Sequence, residues 1–93
     1  MIDGFKCRET DRLWHEQSSR RLPQKSQQKA LDKLQLLDAV VTLDDLRVPP
    51  GNRLEALKGD RVGQHSIRIN DQYRICFVWH EGRAAQVEIV DYH

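Results

Sequence analysis

Cationic and titratable side chains gather in the second half of the chain, inside or beside segments with the composition of strands. They are Lys58, Arg61, Arg68, Arg74, Asp91, Tyr92 and His93. Arginine and lysine can stabilise a charged transition state, and histidine can give or accept a proton near neutral pH. Strands hold side chains rigidly enough to converge on one reacting group. This chemistry suits metal-free cleavage of an RNA phosphodiester, which needs a base for the 2′-hydroxyl, cations for the phosphate and an acid for the leaving oxygen.

Arg74 has the most informative surroundings of these residues. It lies within Tyr73-Arg74-Ile75-Cys76-Phe77, the most apolar stretch of the chain. Burying a guanidinium there is costly unless the charge is paired or faces a cleft. Two interpretations are open and can hold together. Arg74 forms an ion pair with Asp91 or Glu88 of a neighbouring strand, or it binds a phosphate.

His93 is the last residue of the sequence, and two interpretations of it are open. Terminal residues are commonly poorly ordered, so the histidine can be a frayed end. The strand pattern before it is strong, however, and Asp91-Tyr92 can anchor the end of the chain. A neighbouring terminal carboxylate favours the charged imidazole, which suits an acid better than a base.

Lys58 and Arg61 bracket Gly59-Asp60, which predicts a turn or the end of a strand. Lysine neutralises a phosphate as a point charge, whereas arginine can bind two oxygens at once. The alternative for both side chains is an ordinary solvated turn. Arg68 lies inside the next predicted strand and is a further candidate for binding RNA.

Three runs rich in Ile, Val, Phe, Trp and Tyr predict the strands that position these residues: 64–70, 72–79 and 84–92. Asn70-Asp71 and Glu81-Gly82 separate the runs and are typical of tight turns. Consecutive strands joined by short turns pair antiparallel, since a parallel return needs a crossover of a dozen residues or more. The second half of the chain is therefore predicted to be a meander.

The first half predicts two helices after a short opening strand over 2–7. The first helix is expected from Thr10, as its N-cap, to about Ser18-Ser19. Pro23 is expected to open the second helix, where its missing N–H costs nothing. That helix shows an apolar stripe at three- and four-residue steps, formed by Ala30, Leu31, Leu34, Leu37 and Val41.

A second face of the same helix carries Lys25, Lys29 and Lys33, four residues apart. This row is either a solvated helix face or a stripe that contacts phosphates. Thr42 resembles a cap for a short turn, and Leu54 to Leu57 predicts a further strand. The expected fold class is α+β, with two N-terminal helices packed on one face of a twisted, mainly antiparallel sheet.

Length and composition suit one domain spanning residues 1–93, with 39% hydrophobic and 31% charged residues. No apolar run is long enough for a bilayer and no signal peptide is recognisable, so we expect a cytoplasmic protein without a membrane partner. Cys7 and Cys76 are too few for a disulfide framework. Cys76 and His80 are spaced as metal ligands would be on a helix, but they lie in a predicted strand. No metal site or cofactor is therefore predicted.

A family resemblance rests on four segments: Leu-Lys-Gly-Asp-Arg at 57–61, Ser-Ile-Arg-Ile-Asn at 66–70, Tyr-Arg-Ile-Cys-Phe at 73–77 and the closing Asp-Tyr-His at 91–93. These segments resemble the HigB-type killer proteins of the RelE/ParE toxin superfamily, the toxin halves of bacterial toxin–antitoxin pairs. The resemblance implies a RelE-like fold and an endoribonuclease that cuts messenger RNA, on the ribosome, and so inhibits translation and growth.

The resemblance also implies site residues and partners. It assigns catalysis to Lys58, Arg74 and the closing Asp91, Tyr92 and His93. The implied partner is a helix-turn-helix, HigA-like antitoxin, and operator DNA would be bound only through the toxin–antitoxin complex.

One departure from the family pattern affects the mechanism. Some RNA-cleaving relatives place His-Pro just before the Leu-Lys-Gly stretch, where this chain has Glu55-Ala56. Glu55 can serve as the base instead, or it can repel phosphate, and His65 is a reserve candidate for the missing histidine. Two other functions stay open: a ParE-like inhibitor of DNA gyrase without chemistry of its own, and a weakly active relative retained for antitoxin binding and operon autoregulation.

Overall fold

Two helices precede a four-stranded sheet in the computed structural model, which describes residues 1–91; Tyr92 and His93 lie outside the described residues. The elements are α1 (Arg8–Glu16), α2 (Gln24–Ala39), β1 (Glu55–Ala56), β2 (His65–Arg68), β3 (Tyr73–His80) and β4 (Arg83–Asp91). The strands lie in the order β1-β2-β3-β4, and each neighbouring pair is antiparallel. The predicted α+β fold class is confirmed.

Tight turns join the strands where the sequence predicts them. At the β2–β3 turn, the side-chain oxygen of Asn70 accepts hydrogen bonds from the N–H groups of Gln72 and Tyr73, both at 2.9 Å. At the β3–β4 turn, Glu81 and Gly82 have φ angles of 50° and 80°. Two successive residues with positive φ form a turn whose twist matches that of antiparallel strands. The predicted meander is therefore confirmed.

One face of the sheet packs against both helices and forms the core. The buried core side chains are Leu13, Leu22, Ala30, Leu31, Leu34, Leu37, Leu46, Ile67, Ile69, Ile75, Phe77, Ala84 and Val87. A β-bulge at Gln86, with a φ angle of 52°, shifts the β3–β4 register between Cys76 and Val78. The extra residue allows both Phe77 and Val87 to face the core. The helices therefore occupy this face, and the alternate side chains of each strand point away from the helices.

The N-terminal segment covers part of the outer edge of β4. The segment over 2–7 was predicted as a strand, but it makes only two isolated parallel bridges, Ile2 with Ala84 and Phe5 with Val87. The prediction of a full strand is wrong because the two bridges lie on either side of the β4 bulge at Gln86, which interrupts the ladder. The segment still gives hydrogen-bond partners to an edge that would otherwise be open.

Thr10 completes the protection of this edge. Its predicted role as the N-cap of α1 is wrong, because the helix begins two residues earlier and Cys7 occupies the cap position. Thr10 is instead only 3% exposed, and its hydroxyl accepts a hydrogen bond from the N–H of Ile89 at 3.0 Å. The hydroxyl therefore ties α1 to β4 rather than capping its own helix.

The end of α2 also differs from the prediction. The helix ends at Ala39, and Val40 is already extended, with φ −69° and ψ 148°. Val41, predicted to belong to the apolar stripe, is therefore outside the helix and 76% exposed. The rest of the stripe is buried as predicted.

Hydrogen bonds of two polar side chains fix the connection between α2 and β1. Thr42 caps the turn over 43–47, and the Asp45 carboxylate accepts the N–H of Thr42 at 2.9 Å, so the predicted cap is confirmed. Asn52 is fully buried and donates to the carbonyls of Leu46 and Val48 at 3.1 and 3.2 Å. Its amide thereby holds the loop that delivers the chain into β1.

Replacing Thr10 by Val should lower the free energy of unfolding by roughly 1–3 kcal/mol, because the N–H of Ile89 loses its acceptor in a partly buried place. Thr10→Ser keeps the oxygen and is the matched control. Urea denaturation at fixed pH measures both. Equal midpoints for the Val and Ser variants would show that the hydroxyl does not hold α1 on β4.

Candidate active site

The buried guanidinium of Arg74 is the centre of the sheet face that points away from the helices. Its side chain is 11% exposed. Nε donates to the hydroxyl of Ser66 at 2.8 Å, and Nη2 donates to the carbonyl of Arg53 at 2.6 Å. The Glu55 carboxylate lies 3.6 Å from Nη2. These partners supply the pairing that a buried cation requires, and they fix the plane of the guanidinium.

Strand register explains why these groups meet. Arg68 is paired with Arg74 across the β2–β3 ladder, so Ser66 is paired with Cys76, and Glu55 of β1 is paired with Ser66. Residues two apart in a strand share a face. The short β2–β3 turn therefore sets which side chains surround Arg74.

Arg53 contributes its backbone carbonyl to the site, and not its side chain. Its φ angle is 46°, a left-handed conformation that is uncommon for a residue other than glycine. In this conformation its carbonyl accepts the hydrogen bond from Arg74. The loop before β1 is thus shaped to present an acceptor to the guanidinium.

The predicted partner of Arg74 needs correction. Glu88 was one of two expected ion-pair partners, but its carboxylate accepts a hydrogen bond from Nη1 of Arg61 at 2.7 Å, and Nζ of Lys6 lies 3.8 Å from it. Arg61 also donates to the side chain of Gln64 at 3.1 Å. The carboxylate beside Arg74 is Glu55, because β1 lies on the side of β2 that the Arg74 side chain reaches.

Cys76 lies between these two charge pairs and is fully buried outside the main core cluster. Burial raises the pKa of its thiol; Arg61 and Arg74 oppose this shift, and Glu88 and Glu55 add to it. All four charged groups are therefore close enough to act on one thiol. A thiol with a raised pKa is mostly protonated at neutral pH and is a poor nucleophile, so Cys76 serves as packing.

Glu55 is the most accessible of the groups bound to Arg74, with a side chain 49% exposed. It stands beside a fixed cation and still reaches solvent, so it can accept a proton from a bound molecule. A group that takes a proton during a reaction needs this access to the bound molecule.

Arg68 and Lys58 lie at opposite margins of this face. Arg68 forms an ion pair with Asp71 at the β2–β3 turn. Lys58 is exposed and precedes the turn over 59–61; among residues 1–91 its ammonium makes no hydrogen bond or ion pair.

His65 and Asp91 point toward the helix-bearing face instead. The ring of His65 stacks on Phe77 with centroids 6.2 Å apart, and its Nδ1 is buried. The ring therefore lies against the core and not on the Arg74 face. Asp91 is paired with Tyr73 and lines a cavity of about 260 Å³ beside α1. It directly precedes Tyr92 and His93.

Sequence reasoning missed three contributors to the site: Ser66, the carbonyl of Arg53 and the Arg61–Glu88 ion pair. The sequence signal for Ser66 was its position two residues before Arg68, which places both on one face of a strand. No sequence signal could show the carbonyl of Arg53, because its direction depends on a left-handed backbone. The Arg61 pair depends on contact between residues 27 positions apart.

Metal-ligand clusters and membrane-spanning helices are both absent from the described part of the chain. No group of three or more His, Cys, Asp or Glu side chains within residues 1–91 could hold a metal ion. Within the same range, neither helix is long and apolar enough to cross a membrane.

Comparison with known families identifies the class of protein to which this fold and site belong. Residues 3–93 match the family model described as the RelE-like toxin of type II toxin–antitoxin system HigB. The chain therefore belongs to the HigB-like family of type II toxins. The predicted family and the predicted class of function, a toxin of a toxin–antitoxin system, are confirmed.

Named relatives agree with this membership. The chain is 43% identical over 81 residues to Toxin HigB-1 of Vibrio cholerae, covering 86% of this chain and 85% of that protein. It is 30% identical to Endoribonuclease HigB of Proteus vulgaris over the full length of both chains. The name of the second relative agrees with the predicted enzyme class.

A solved structure supports the fold. The YoeB–YefM complex of Staphylococcus aureus contains a chain with a TM-score of 0.57 and 18% identity, over 100% of this chain and 98% of that one. At this identity the likeness concerns the fold. The family consists of the toxins of toxin–antitoxin systems, so the partner of this chain is an antitoxin.

The raised pKa of Cys76 predicts slow alkylation. Iodoacetamide should label Cys7, which is partly exposed, before Cys76 in the folded protein, because little thiolate forms at the buried position. Peptide mass spectrometry over a time course measures both rates, and urea-unfolded protein is the control. Equal native rates would contradict the assignment of Cys76 as packing.

Proposed function

We propose that this toxin is a metal-independent endoribonuclease that cuts messenger RNA at the face around Arg74. The observation that carries the proposal is a buried guanidinium held by Ser66 and Arg53, next to the half-exposed carboxylate of Glu55. A cation fixed in advance stabilises developing phosphate charge without reorganisation. Membership in the HigB-like family and the name of the Proteus vulgaris relative support this activity.

The proposed reaction is an internal transfer of the phosphoryl group. The 2′-oxygen attacks the adjacent phosphorus, its proton passes to the Glu55 carboxylate, and the bond from phosphorus to the 5′-oxygen breaks. Arg74 and Lys58 stabilise the charge on the non-bridging oxygens. A proton from the imidazolium of His93 goes to the leaving 5′-oxygen. The products are a 2′,3′-cyclic phosphate and a 5′-hydroxyl end.

The other predicted residues take supporting roles in this proposal. Arg61, held by Glu88, and Arg68, at the β2–β3 turn, bind phosphates on either side of the cleaved bond. Asp91 and Tyr92 anchor the chain end so that His93 can act. The assignments of Tyr92 and His93 rest on the family's closing Asp-Tyr-His.

The proposed setting is the bacterial cytoplasm, on translating ribosomes. The proposed antitoxin is a HigA-like protein with a helix-turn-helix domain, and the complex of toxin and antitoxin binds the operator. Ribosome dependence follows the family resemblance and would restrict cleavage to transcripts in use.

Inducing the chain without its antitoxin should arrest bacterial growth and create new messenger RNA ends within translated regions. Mapping of 5′ ends by sequencing, with 5′-hydroxyl ends captured separately, measures the cleavage. An Arg74→Ala strain is the matched control. Growth arrest with intact transcripts and broken or relaxed DNA would contradict the proposal and indicate action on gyrase.

Variants of three residues should separate their roles in cleavage. Arg74→Ala removes the fixed cation, and a loss of about a hundred- to a thousandfold in rate is expected. Glu55→Gln keeps the shape but cannot accept the proton, and deletion of His93 removes the acid. Losses of about a hundred- to ten-thousandfold are expected for each.

Thermal melting and antitoxin binding of the same preparations control for unfolding. Arg74→Ala leaves Ser66 and the carbonyl of Arg53 without their donor and should also lower the melting temperature. Arg74→Lys therefore serves as a second variant, which keeps the positive charge but lacks the several N–H donors of a guanidinium. If all of these variants bind the antitoxin and cleave at the parent rate, this face is not the active site.

A further inference from the structure

Charge is unevenly distributed along the chain. The formal net charge is only +1, yet residues 20–33 carry five lysines and arginines and a single acid, Asp32, for a net charge of +4. The rest of the chain therefore sums to −3. Such a concentration on a near-neutral protein creates a local positive potential that its total charge conceals.

Most cations outside this segment are paired with carboxylates; among residues 1–91, Arg8, Arg53 and Lys58 are the exceptions. Seven cations elsewhere lie within 4.0 Å of a carboxylate: Lys6, Arg12, Arg47, Arg61, Arg68, Arg74 and Arg83. In contrast, the side chains of Arg20, Arg21, Lys25 and Lys29 are exposed and form no ion pair with any residue between 1 and 91. We call these four residues the basic strip.

Like charges oppose one another at the end of the strip. Lys29 lies one helical turn before Lys33, whose pKa is lowered first by burial and then by the charge of Lys29. Lys33 is half-buried and donates a hydrogen bond to the side-chain oxygen of Asn52, so the strip proper ends at Lys29. Repulsion of this kind destabilises the free protein slightly and is relieved when an anion binds.

The loop that carries Arg20 and Arg21 is held in one conformation. The Glu9 carboxylate accepts hydrogen bonds from the hydroxyl of Ser19 at 3.3 Å and the N–H of Arg20 at 3.2 Å. The side-chain amide of Gln27 donates to the carbonyls of Ser19 and Leu22, both at 3.0 Å. The loop therefore presents its cations from a fixed backbone, which lowers the entropic cost of binding.

The strip lies near the end of the sheet that carries Arg68. Ser26, which follows Lys25 in α2, accepts a hydrogen bond from the side-chain amide of Asn70 at 3.1 Å. Asn70 belongs to the β2–β3 turn, and the same turn carries Arg68 at the margin of the Arg74 face. A bound strand can therefore pass from Arg68 over this turn to Lys25.

We propose that the basic strip binds the sugar–phosphate backbone of RNA outside the nucleotides that are cut. Lys25 and Lys29 are one helical turn apart, about 6 Å, which is close to the spacing of successive phosphates. Exposed lysines and arginines without carboxylate partners are the usual phosphate contacts of nucleic-acid-binding proteins. The inference rests on the proposed function, and it adds a second binding surface that positions RNA without touching the reacting atoms.

The test compares two variants with equal net charge. The strip variant replaces Arg20, Arg21, Lys25 and Lys29 by Gln. The control replaces four cations on other surfaces by Gln: Arg8, Arg12, Arg47 and Arg83. Binding of a long, fully 2′-O-methylated RNA strand, which cannot be cut, is measured by fluorescence anisotropy at several salt concentrations. A second arm measures co-sedimentation with ribosomes free of messenger RNA.

The strip variant should bind at least about tenfold more weakly than the parent. The slope of log affinity against log salt should fall in magnitude by about two to three, since each phosphate contact with a single strand contributes roughly 0.7. The control variant should keep most of the parent's affinity and slope. Weaker binding to the free strand alone would identify substrate RNA as the ligand, and weaker binding to ribosomes alone would identify ribosomal RNA.

Equal binding of the strip and control variants in both arms would overturn the inference. Retained RNA binding together with loss of antitoxin binding would also overturn it and assign the strip to the antitoxin. Because the anisotropy assay needs no cleavage, failure of the proposed activity is seen separately, as a parent protein that binds RNA but never cuts it.

Discussion

The burial of one positive charge constrains this structure more than any other single interaction. Arg74 lies in the central β3 strand with its side chain 11% exposed, so its guanidinium has to be paired within the protein. Ser66, Arg53 and Glu55 provide the pairing from three different segments. Removing one member of a buried charged pair commonly costs about 3–5 kcal/mol. The charge proposed to bind RNA is therefore also part of what holds β1, β2 and β3 in register.

The two faces of the sheet differ in polarity and in what they contact. The helix-bearing face is apolar, and Thr10 and the N-terminal segment close its outer strand. The other face carries the charged pairs around Cys76. Its buried Arg74 is hydrogen-bonded to Ser66 and to the carbonyl of Arg53. The carboxylate of Glu55 also lies beside this charge, 3.6 Å from Nη2 of Arg74. A carboxylate beside Arg74 gains a partner for its charge, and it retains enough exposure to accept a proton.

The sequence predicted those features that depend on local pattern. The alternation in β2, β3 and β4, the turns at 70–71 and 81–82 and the cap at Thr42 each depend on a few neighbouring residues, and the structure confirms them. The prediction of Thr10 as the N-cap of α1 was wrong, and its hydroxyl instead accepts the N–H of Ile89, a residue 79 positions away. The prediction of Glu88 as a partner of Arg74 was wrong for a similar reason, since Glu88 binds Arg61, 27 positions away. Both outcomes depend on long-range contacts that no local pattern encodes.

Observation of the Arg74 guanidinium during RNA binding tests the central claim most directly. In an NMR titration of ¹⁵N-labelled toxin with a non-cleavable 2′-deoxy strand, the Nε–H signal of Arg74 can be followed beside that of Arg61. The hydrogen bond to Ser66 should protect the Arg74 signal from exchange with solvent in the free protein. We expect both signals to shift progressively until the strand saturates the protein. Saturation that shifts the signals of Arg20 and Arg21 but leaves Arg74 and Arg61 unchanged would contradict the account.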